Sequence, residues 1–321
     1  MTDTLITGAT GFVGSHLVEA LAARGVRARA LVRTSSDTRH LDPCGVGKVV
    51  GSLDDAASLR RAVAGAGTVL HLAAATRALH PATFDRVNAG GTAKLADALE
   101  AEGGCQRVVF LSSMAAVGPS RGRPVAPDDE PRPLTAYGRS KLAAERVLEG
   151  RSLDVAILRA PAVYGPGDRD LLPFFRLARL GLLPRVGPAE RRVQLVYVKD
   201  LAAAIVAAAG ARGVVGTYHV AEPRAYTWSG VLERMAGAVG RSGIRVPVPA
   251  PVLRGAAAVS EGWARLSRRP VIFDRDKARE ILSEWLCDTE STRRELGFET
   301  SVPLAEGLEE TASWYRTYGW L

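Results

Sequence analysis

Tyr137 and Lys141 stand four residues apart in Tyr137-Gly138-Arg139-Ser140-Lys141. On a helix that spacing puts a phenol and an ammonium on one face. The ammonium favours the phenolate, so the pair can trade a proton near neutral pH rather than near the phenol's reference value of ~10. The same spacing on an exposed helix is only a solvated face. The pair gains meaning from the elements around it.

Those elements begin at the head of the chain. Asp3 to Thr7 reads as a short buried strand, followed by Gly8-Ala9-Thr10-Gly11-Phe12-Val13-Gly14 and a helical pattern through Arg24 with Val13, Leu17, Val18 and Leu21 apolar. Strand, glycine turn and helix is the setting of a dinucleotide fingerprint. Gly8 suits the tight turn, Gly11 lets the backbone approach a pyrophosphate, and Gly14 lets the helix pack close to the strand. The helix start then offers N–H groups and a positive dipole end to the phosphates. The second strand, Val26 to Arg33, ends in a base where NAD enzymes carry an acid for the ribose hydroxyl. Arg33, followed by Thr34, Ser35, Ser36 and Arg39, suits a 2′-phosphate, so NADP is favoured over NAD.

Composition narrows the class. A chain of 321 residues with 47% hydrophobic content can bury a large α/β core, as one big domain or two smaller ones. Leu201 to Ala209 is the longest apolar run and is too short to span a bilayer. A first strand starting almost at Met1 leaves no signal peptide in the expectation. Cys44, Cys105 and Cys287 are too scattered for a metal site or disulfide framework, which points to the cytoplasm. The net charge is 42 − 34 = +8, yet the arginines form no run and no aromatic-interleaved patch, so nucleic acid is not expected.

Strand and helix signals alternate through the first half. Strands are expected at Lys48 to Val50, Thr68 to Leu72, Arg107 to Ser112 and Val155 to Arg159. Helices are expected at Asp55 to Ala64, Pro81 to Ala101 and Thr135 to Leu148, the last capped near Thr135. This alternation implies right-handed crossovers and a parallel, doubly wound α/β sheet. Residues 118–133 hold five prolines and must be a loop, one that could wall the site. Pro247-Val248-Pro249-Ala250-Pro251 marks a break. Beyond it, Val252 to Arg268 reads as an amphipathic helix closed by Arg269 and Pro270, its Ala/Leu/Trp face expected to pack in the substrate lobe, with membrane contact as the lesser reading.

Several motifs in order make the chain resemble the extended short-chain dehydrogenase/reductases, the NAD-dependent epimerase/dehydratase group, over nearly its whole length. They are Thr7-Gly8-Ala9-Thr10-Gly11-Phe12-Val13-Gly14, His71-Leu72-Ala73-Ala74, Asn88-Ala89-Gly90-Gly91-Thr92, Leu111-Ser112-Ser113, Tyr137-xxx-Lys141, the stretch Leu158 to Gly167, and Val196 to Asp200. The resemblance implies a Rossmann domain over 1–165, with 193–221 returning to it, and a smaller C-terminal α/β substrate lobe from 166–192 and 222–321. It implies that Ser113 donates to the substrate oxygen, Tyr137 moves the proton, and Lys141 binds the nicotinamide ribose and lowers the Tyr137 pKa. Thr10, Phe12, Val13, Ser52, Leu53, Leu72, Ala73, Ala74, Asn88, Ser112, Pro161 and Val163 join the glycines and Arg33 around the cofactor. Met114, Ala75 and Phe174 are expected to face the substrate. Asn88 could equally brace the long helix, Ser112 and Ser113 could simply end a strand, and His71 reads as a satisfied core histidine. The resemblance also implies a homodimer through the Tyr/Lys helix.

Departures from the family pattern sort its members. Met114, Ala115 and Ala116 replace the acidic pair that dehydratases carry after the catalytic Ser/Thr. Val193 stands where nucleotide-sugar enzymes place a diphosphate-binding Arg, with Arg191 and Arg192 just before it. Val117 replaces the Tyr common in sugar epimerases, and Ser52 replaces an adenine-side Asp. With Leu171, Leu172, Phe174 and Phe175 opposite, a greasy pocket is expected, as in the dihydroflavonol-reductase and 3β-hydroxysteroid-dehydrogenase branches. The resulting expectation is hydride transfer between NADP(H) and a secondary alcohol/ketone or aldehyde on a mostly apolar molecule. The alternatives are a nucleotide-sugar epimerase that retains NAD and a non-catalytic cofactor-sensing or scaffold protein.

Overall fold

Leu5 and Ile6 are neighbours in the first strand, Asp3–Thr7, yet they belong to different hydrophobic clusters. Successive strand residues point to opposite faces, and a parallel sheet is buried on both. In the computed structural model, which describes residues 3–187, 190–211, 213–268, 271 and 273–321, strand after strand sorts this way. Leu5, Leu31, Val69, Val108 and Ile157 face one side, where helices Ala56–Val63, Gly91–Glu102 and Ala136–Glu149 cover them. Ile6, Ala30, Leu70, Val109 and Leu158 face the other, under helices Phe12–Ala22 and Val198–Gly210. Each such buried Leu or Ile contributes roughly 1.5–3 kcal/mol.

The sheet has seven parallel strands in the order Gly216–His219, Val155–Ala160, Arg107–Ser113, Ala66–His71, Asp3–Thr7, Ala28–Val32, Gly47–Val50. The chain winds outward from Asp3–Thr7 to one edge, then crosses back to start the other half at Ala66–His71. A crevice therefore opens at the carboxyl ends of these two strands, the place where doubly wound sheets bind ligands. A separate cluster built on Tyr164, Phe175, Tyr197, Met235, Leu308 and Tyr315 packs helices Leu172–Arg179, Trp228–Ala238 and Leu304–Thr317 together. Among the described residues, no helix is long and apolar enough to cross a membrane.

Three elements depart from the sequence reading. The long helix expected over Pro81 to Ala101 is three helical pieces in continuous αR geometry. Asp85–Gly90 is a π-helical turn between α-helical Pro81–Phe84 and Gly91–Glu102. Such turns break the 3.6-residue period that sequence patterns report, and they recur at functional sites. Pro247 does not break the chain; it lies inside strand Ile244–Val248, paired in parallel with Leu182–Val186. A two-stranded pair has open edges where a missing N–H costs little.

The third concerns helix Ala250–Ser267. Only its small Ala257 and Ala264 are buried, while Val252, Val259, Trp263 and Leu266 are exposed. The expectation of an inward Ala/Leu/Trp face thus holds for the alanines alone. Small residues let the helix lie close to its neighbour, and the large ones sit about a third of a turn round. Arg269 and Pro270, expected to close it, lie outside the described residues.

Candidate active site

The crevice begins at the glycine turn. Gly8 has a φ of +81°, and a Cβ there would lie 2.6 Å from the Ala73 nitrogen. Only glycine fits the conformation and the contact. A Cβ on Gly14 would meet the Gly8 carbonyl oxygen at 2.1 Å, so the helix presses directly on the turn. Gly11 is the N-cap of Phe12–Ala22 and supplies no side-chain cap. The first N–H groups of that helix are therefore left for an anion, at the positive end of the dipole. A cradle without side chains over an uncapped helix start fits a dinucleotide pyrophosphate.

Around it the second strand leads to Arg33, which is exposed, its backbone N–H bonded to the Ser36 hydroxyl. Arg39 is occupied by Asp37 through Nε and Nη2, at 3.0 and 2.6 Å. Ser52 and Leu53 follow the third strand; Leu53 packs where a Cβ on Gly91 would sit, at 2.9 Å.

His71 closes the floor. Thr92 Oγ1 donates to the Asn88 carbonyl at 2.6 Å, so at 2.9 Å it can only accept from His71 Nε2. His71 Nδ1 then accepts from Thr7 Oγ1 at 2.6 Å, and that hydroxyl accepts from the Ala73 N–H at 3.3 Å. Burial holds the imidazole pKa down at about 3, with Lys141 adding to the shift. His71 is thus neutral and satisfied.

The π turn puts Asn88 to use beside it. Asn88 Oδ1 accepts from the Ala75 N–H at 2.7 Å, and Nδ2 donates to the Ala75 carbonyl at 3.1 Å and to Ser140 Oγ at 2.9 Å. Ser140 Oγ donates in turn to the Tyr137 carbonyl at 2.7 Å. Asn88 therefore ties the Ala73–Ala75 segment to the Tyr/Lys helix with its whole amide.

Thr135 caps that helix, accepting from the Gly138 N–H at 3.0 Å. Ser113, last residue of the Arg107–Ser113 strand, accepts from the Ala115 N–H at 3.1 Å and its hydroxyl reaches the Tyr137 phenol, favouring the ionised form. Lys141, 2% exposed, donates to the Leu111 carbonyl at 2.6 Å and lies 4.0 Å from the Phe110 ring centroid.

The electrostatics differ from the expectation of a lowered phenol. Burial raises the Tyr137 pKa well above its ordinary value, and the carboxylates of Glu280 and Asp170 push the same way against Ser113. Burial lowers Lys141 to about 7, with Glu145 opposing. Lys141 gives one of its three N–H donors to a carbonyl beneath the site, and desolvation decides the phenol. Tyr137 consequently stands protonated at neutral pH.

A pH effect follows from Lys141. Unfolded, a lysine loses its proton near ~10.4; folded, Lys141 does so at about 7. Between these values the unfolded chain binds the extra proton, so stability at this residue rises with pH; below about 7 the full cost stands. Lys141→Met should therefore stabilise the protein most at neutral and lower pH, with the gain shrinking toward pH ~10. Urea denaturation of both forms across that range checks it; a pH-independent difference would mean that folded Lys141 stays charged throughout.

Sequence reasoning missed what lies under and around these residues. Glu145, one turn beyond Lys141, accepts from the Ser112 hydroxyl and holds Arg159 in a two-point pair at 2.8 and 3.1 Å, both side chains nearly fully buried. Ser112 thus turns toward this pair. A charged residue at i+4 from a buried lysine was the available signal. Helix Arg275–Ile281 docks on the start of the Tyr/Lys helix, Asp276 accepting from the Ala136 N–H at 3.1 Å. It also carries Lys277 and Glu280, paired at 3.2 Å. Across the cleft Arg77 pairs with Asp170.

The greasy lining is therefore only partial. Met114 is 2% exposed and packs with Val117, Val125 and Cys287; Leu171, Leu172 and Phe175 join the second core, and Phe174 stands edge-on to Trp228 at 5.1 Å. These residues spend their apolar surface inside the protein, while charged side chains border Tyr137. Pro161 joins the sixth strand to Ala162–Tyr164, which carries Val163 and pairs with Leu195–Tyr197. Arg191 donates to the carbonyls of Leu282 and Val186, at 2.6 and 2.7 Å, and Arg192 pairs with Glu284 at 3.1 Å.

Comparison with known proteins agrees with this site. Residues 4–221 match the model of the NAD dependent epimerase/dehydratase family. The chain is 34% identical to the ceramide reductase of Caulobacter vibrioides, over 98% of this chain and 95% of that one. It is 30% identical to sterol demethylase protein B of Methylococcus capsulatus, over 98% and 99%. The structure of Thermus thermophilus UDP-glucose 4-epimerase in complex with NAD superposes with a TM-score of 0.77 at 25% identity, over 98% of this chain and 99% of that one. The chain belongs to the NAD dependent epimerase/dehydratase family and is an oxidoreductase-type enzyme of the extended short-chain dehydrogenase fold, with a nicotinamide-dinucleotide site.

Proposed function

We propose that this family member is an NADP(H)-dependent reductase of a ketone borne on a long-chain, lipid-like molecule. The observation that carries the reading is the convergence of the Ser113 and Tyr137 hydroxyls beside buried Lys141, with Tyr137 kept protonated. A dinucleotide held by its pyrophosphate at the glycine turn would supply the hydride from its nicotinamide. Ser113 holds the carbonyl oxygen and stabilises charge as it becomes an alkoxide. Tyr137 gives that oxygen its proton. Lys141 holds the nicotinamide ribose, and the Glu145–Arg159 pair fixes the helix that carries Lys141 and Tyr137. Residues 166–192 and 222–321 form the lobe that selects the substrate, with Ala75 on its border and Met114 and Phe174 packed behind it.

Two observations favour a lipid-like ketone over a nucleotide sugar. The arginines nearest the diphosphate position are engaged, Arg191 with backbone carbonyls and Arg192 with Glu284. A relative 34% identical over nearly the whole chain is a ceramide reductase. Purified protein given NADPH and a long-chain 3-keto amide should oxidise the cofactor; epimerisation of UDP-glucose without net cofactor oxidation would overturn the reading.

The NADP preference rests on Arg33, exposed beyond the second strand with no ion-pair partner among the described residues. Arg33→Asp should weaken NADPH binding about ten- to a hundred-fold, the loss of one charge-assisted contact, and spare NADH. Cofactor fluorescence titration measures both. Unchanged NADPH affinity would remove Arg33 from the site.

A further inference from the structure

Helix Ala250–Ser267 carries four large apolar side chains in water: Val252 is 59% exposed, Val259 75%, Trp263 64% and Leu266 77%. Intervals of seven, four and three residues put them on one stripe. Fourteen residues from Val252 to Leu266 extend about 21 Å along the axis. The helix packs instead through Ala257 and Ala264, and its neighbour is helix Arg275–Ile281. A continuous exposed stripe of this kind marks an interaction surface.

Charge identifies the occupant. From Arg241 to Arg268 the sequence holds five arginines, at 241, 245, 254, 265 and 268, against one acid, Glu261, a local balance of 5 − 1 = +4. Glu261 is already engaged by Arg265 at 2.6 Å and Arg275 at 3.4 Å, and Arg245 pairs with Glu233 just outside this stretch. Arg241, Arg254 and Arg268 have no ion-pair partner among the described residues. Arg254 and Arg265 follow Val252 and Trp263 by two residues and so stand on the other side of the helix; arginines on one face and Trp, Leu and Val on the other are the make-up of a helix that lies in a lipid interface, and an anionic surface complements their charge.

We infer that helix Ala250–Ser267 docks the protein on an anionic lipid bilayer, with Val252, Val259, Trp263 and Leu266 entering the interface. The helix rests on Arg275–Ile281, and Asp276 of that element bonds the Ala136 N–H one residue before Tyr137. One intervening helix thus links the docked helix to the border of the candidate site. Any bearing of docking on that site rests on the lipid-like substrate proposed above; the docking itself does not.

Flotation of the full chain with phosphatidylcholine vesicles, with and without about a quarter phosphatidylglycerol, tests it. The protein should float with the anionic vesicles and be released by salt. Trp263→Ser with Leu266→Ser should cut vesicle binding by about ten-fold or more. The same variant should reduce a water-soluble ketone with NADPH as the wild type does. Wild-type protein that stays at the bottom of the gradient, or a variant that floats equally well, overturns the inference. So does sedimentation showing a wild-type dimer that the variant loses while neither floats, since a second copy then covers the stripe. Flotation needs no turnover, so failure of the reductase reading would show separately, as no ketone reduced by either form.

Discussion

Tyr137→Phe should lower turnover by about 10²–10⁴-fold while cofactor affinity is kept, the range a positioned proton donor contributes. The ring survives the change, and with it the edge contact to Phe84 at 6.0 Å between centroids. Only the hydroxyl is lost, and that hydroxyl is the group that burial, Glu280 and Asp170 together keep protonated. A reduction needs a proton at this oxygen, so the same forces that raise the phenol pKa ready it for the step. Ser113→Ala should cost about 10²–10³-fold, as one oxyanion donor does. The double variant should lose much less than the product of the two, because both act on one oxygen. Single-turnover kinetics with a fixed ketone measure the step directly. Full turnover by Tyr137→Phe with intact cofactor binding would remove the phenol from the chemistry.

The glycine turn and the sheet were legible because local rules decide them. Gly8 and Gly14 are required by backbone contacts a few residues or one strand away, and the buried strands read as apolar runs bounded by turns. Asn88 was legible as a residue that matters but not in its geometry, since the π turn that aims it at Ala75 has no signature in the 3.6-residue period. His71 was read correctly as a core group because a lone histidine at the end of a buried strand has more ways to be satisfied by hydroxyls than to act.

The pocket was misjudged for a different reason. Met114, Leu172 and Phe175 are apolar, but sequence gives no direction, and each turns into a core. Of the charged groups that border Tyr137, Glu280 arrives from Arg275–Ile281, more than a hundred residues away in the chain, and Asp170 from the segment before Leu172–Arg179. The same blindness to direction sent the Trp263 face inward on paper when it stands in water.

Glu145→Leu should destabilise the fold by about 3–5 kcal/mol, the cost of leaving one partner of a buried ion pair uncompensated. Glu145 is 1% and Arg159 4% exposed. The Glu145 carboxylate answers both the guanidinium and the Ser112 hydroxyl. Without it Arg159 keeps, among the described residues, the Pro127 carbonyl alone, bonded at 3.1 Å. Arg159→Leu alone should cost a similar amount, whereas the pair replaced together by leucines should recover much of the loss, because two apolar side chains need no partner. Urea midpoints of the three variants close this cycle. Single variants within about 1 kcal/mol of wild type would mean that water compensates the charge and the pair anchors nothing. A second readout separates a purely structural role from an electrostatic one. Glu145 is the group that opposes the burial of Lys141, so its removal should move the Lys141 pKa further below about 7. In the double leucine variant, where folding is restored, the part of the pH–rate profile belonging to Lys141 should therefore shift to lower pH. An unmoved profile would leave Glu145 as a support for the helix and nothing more.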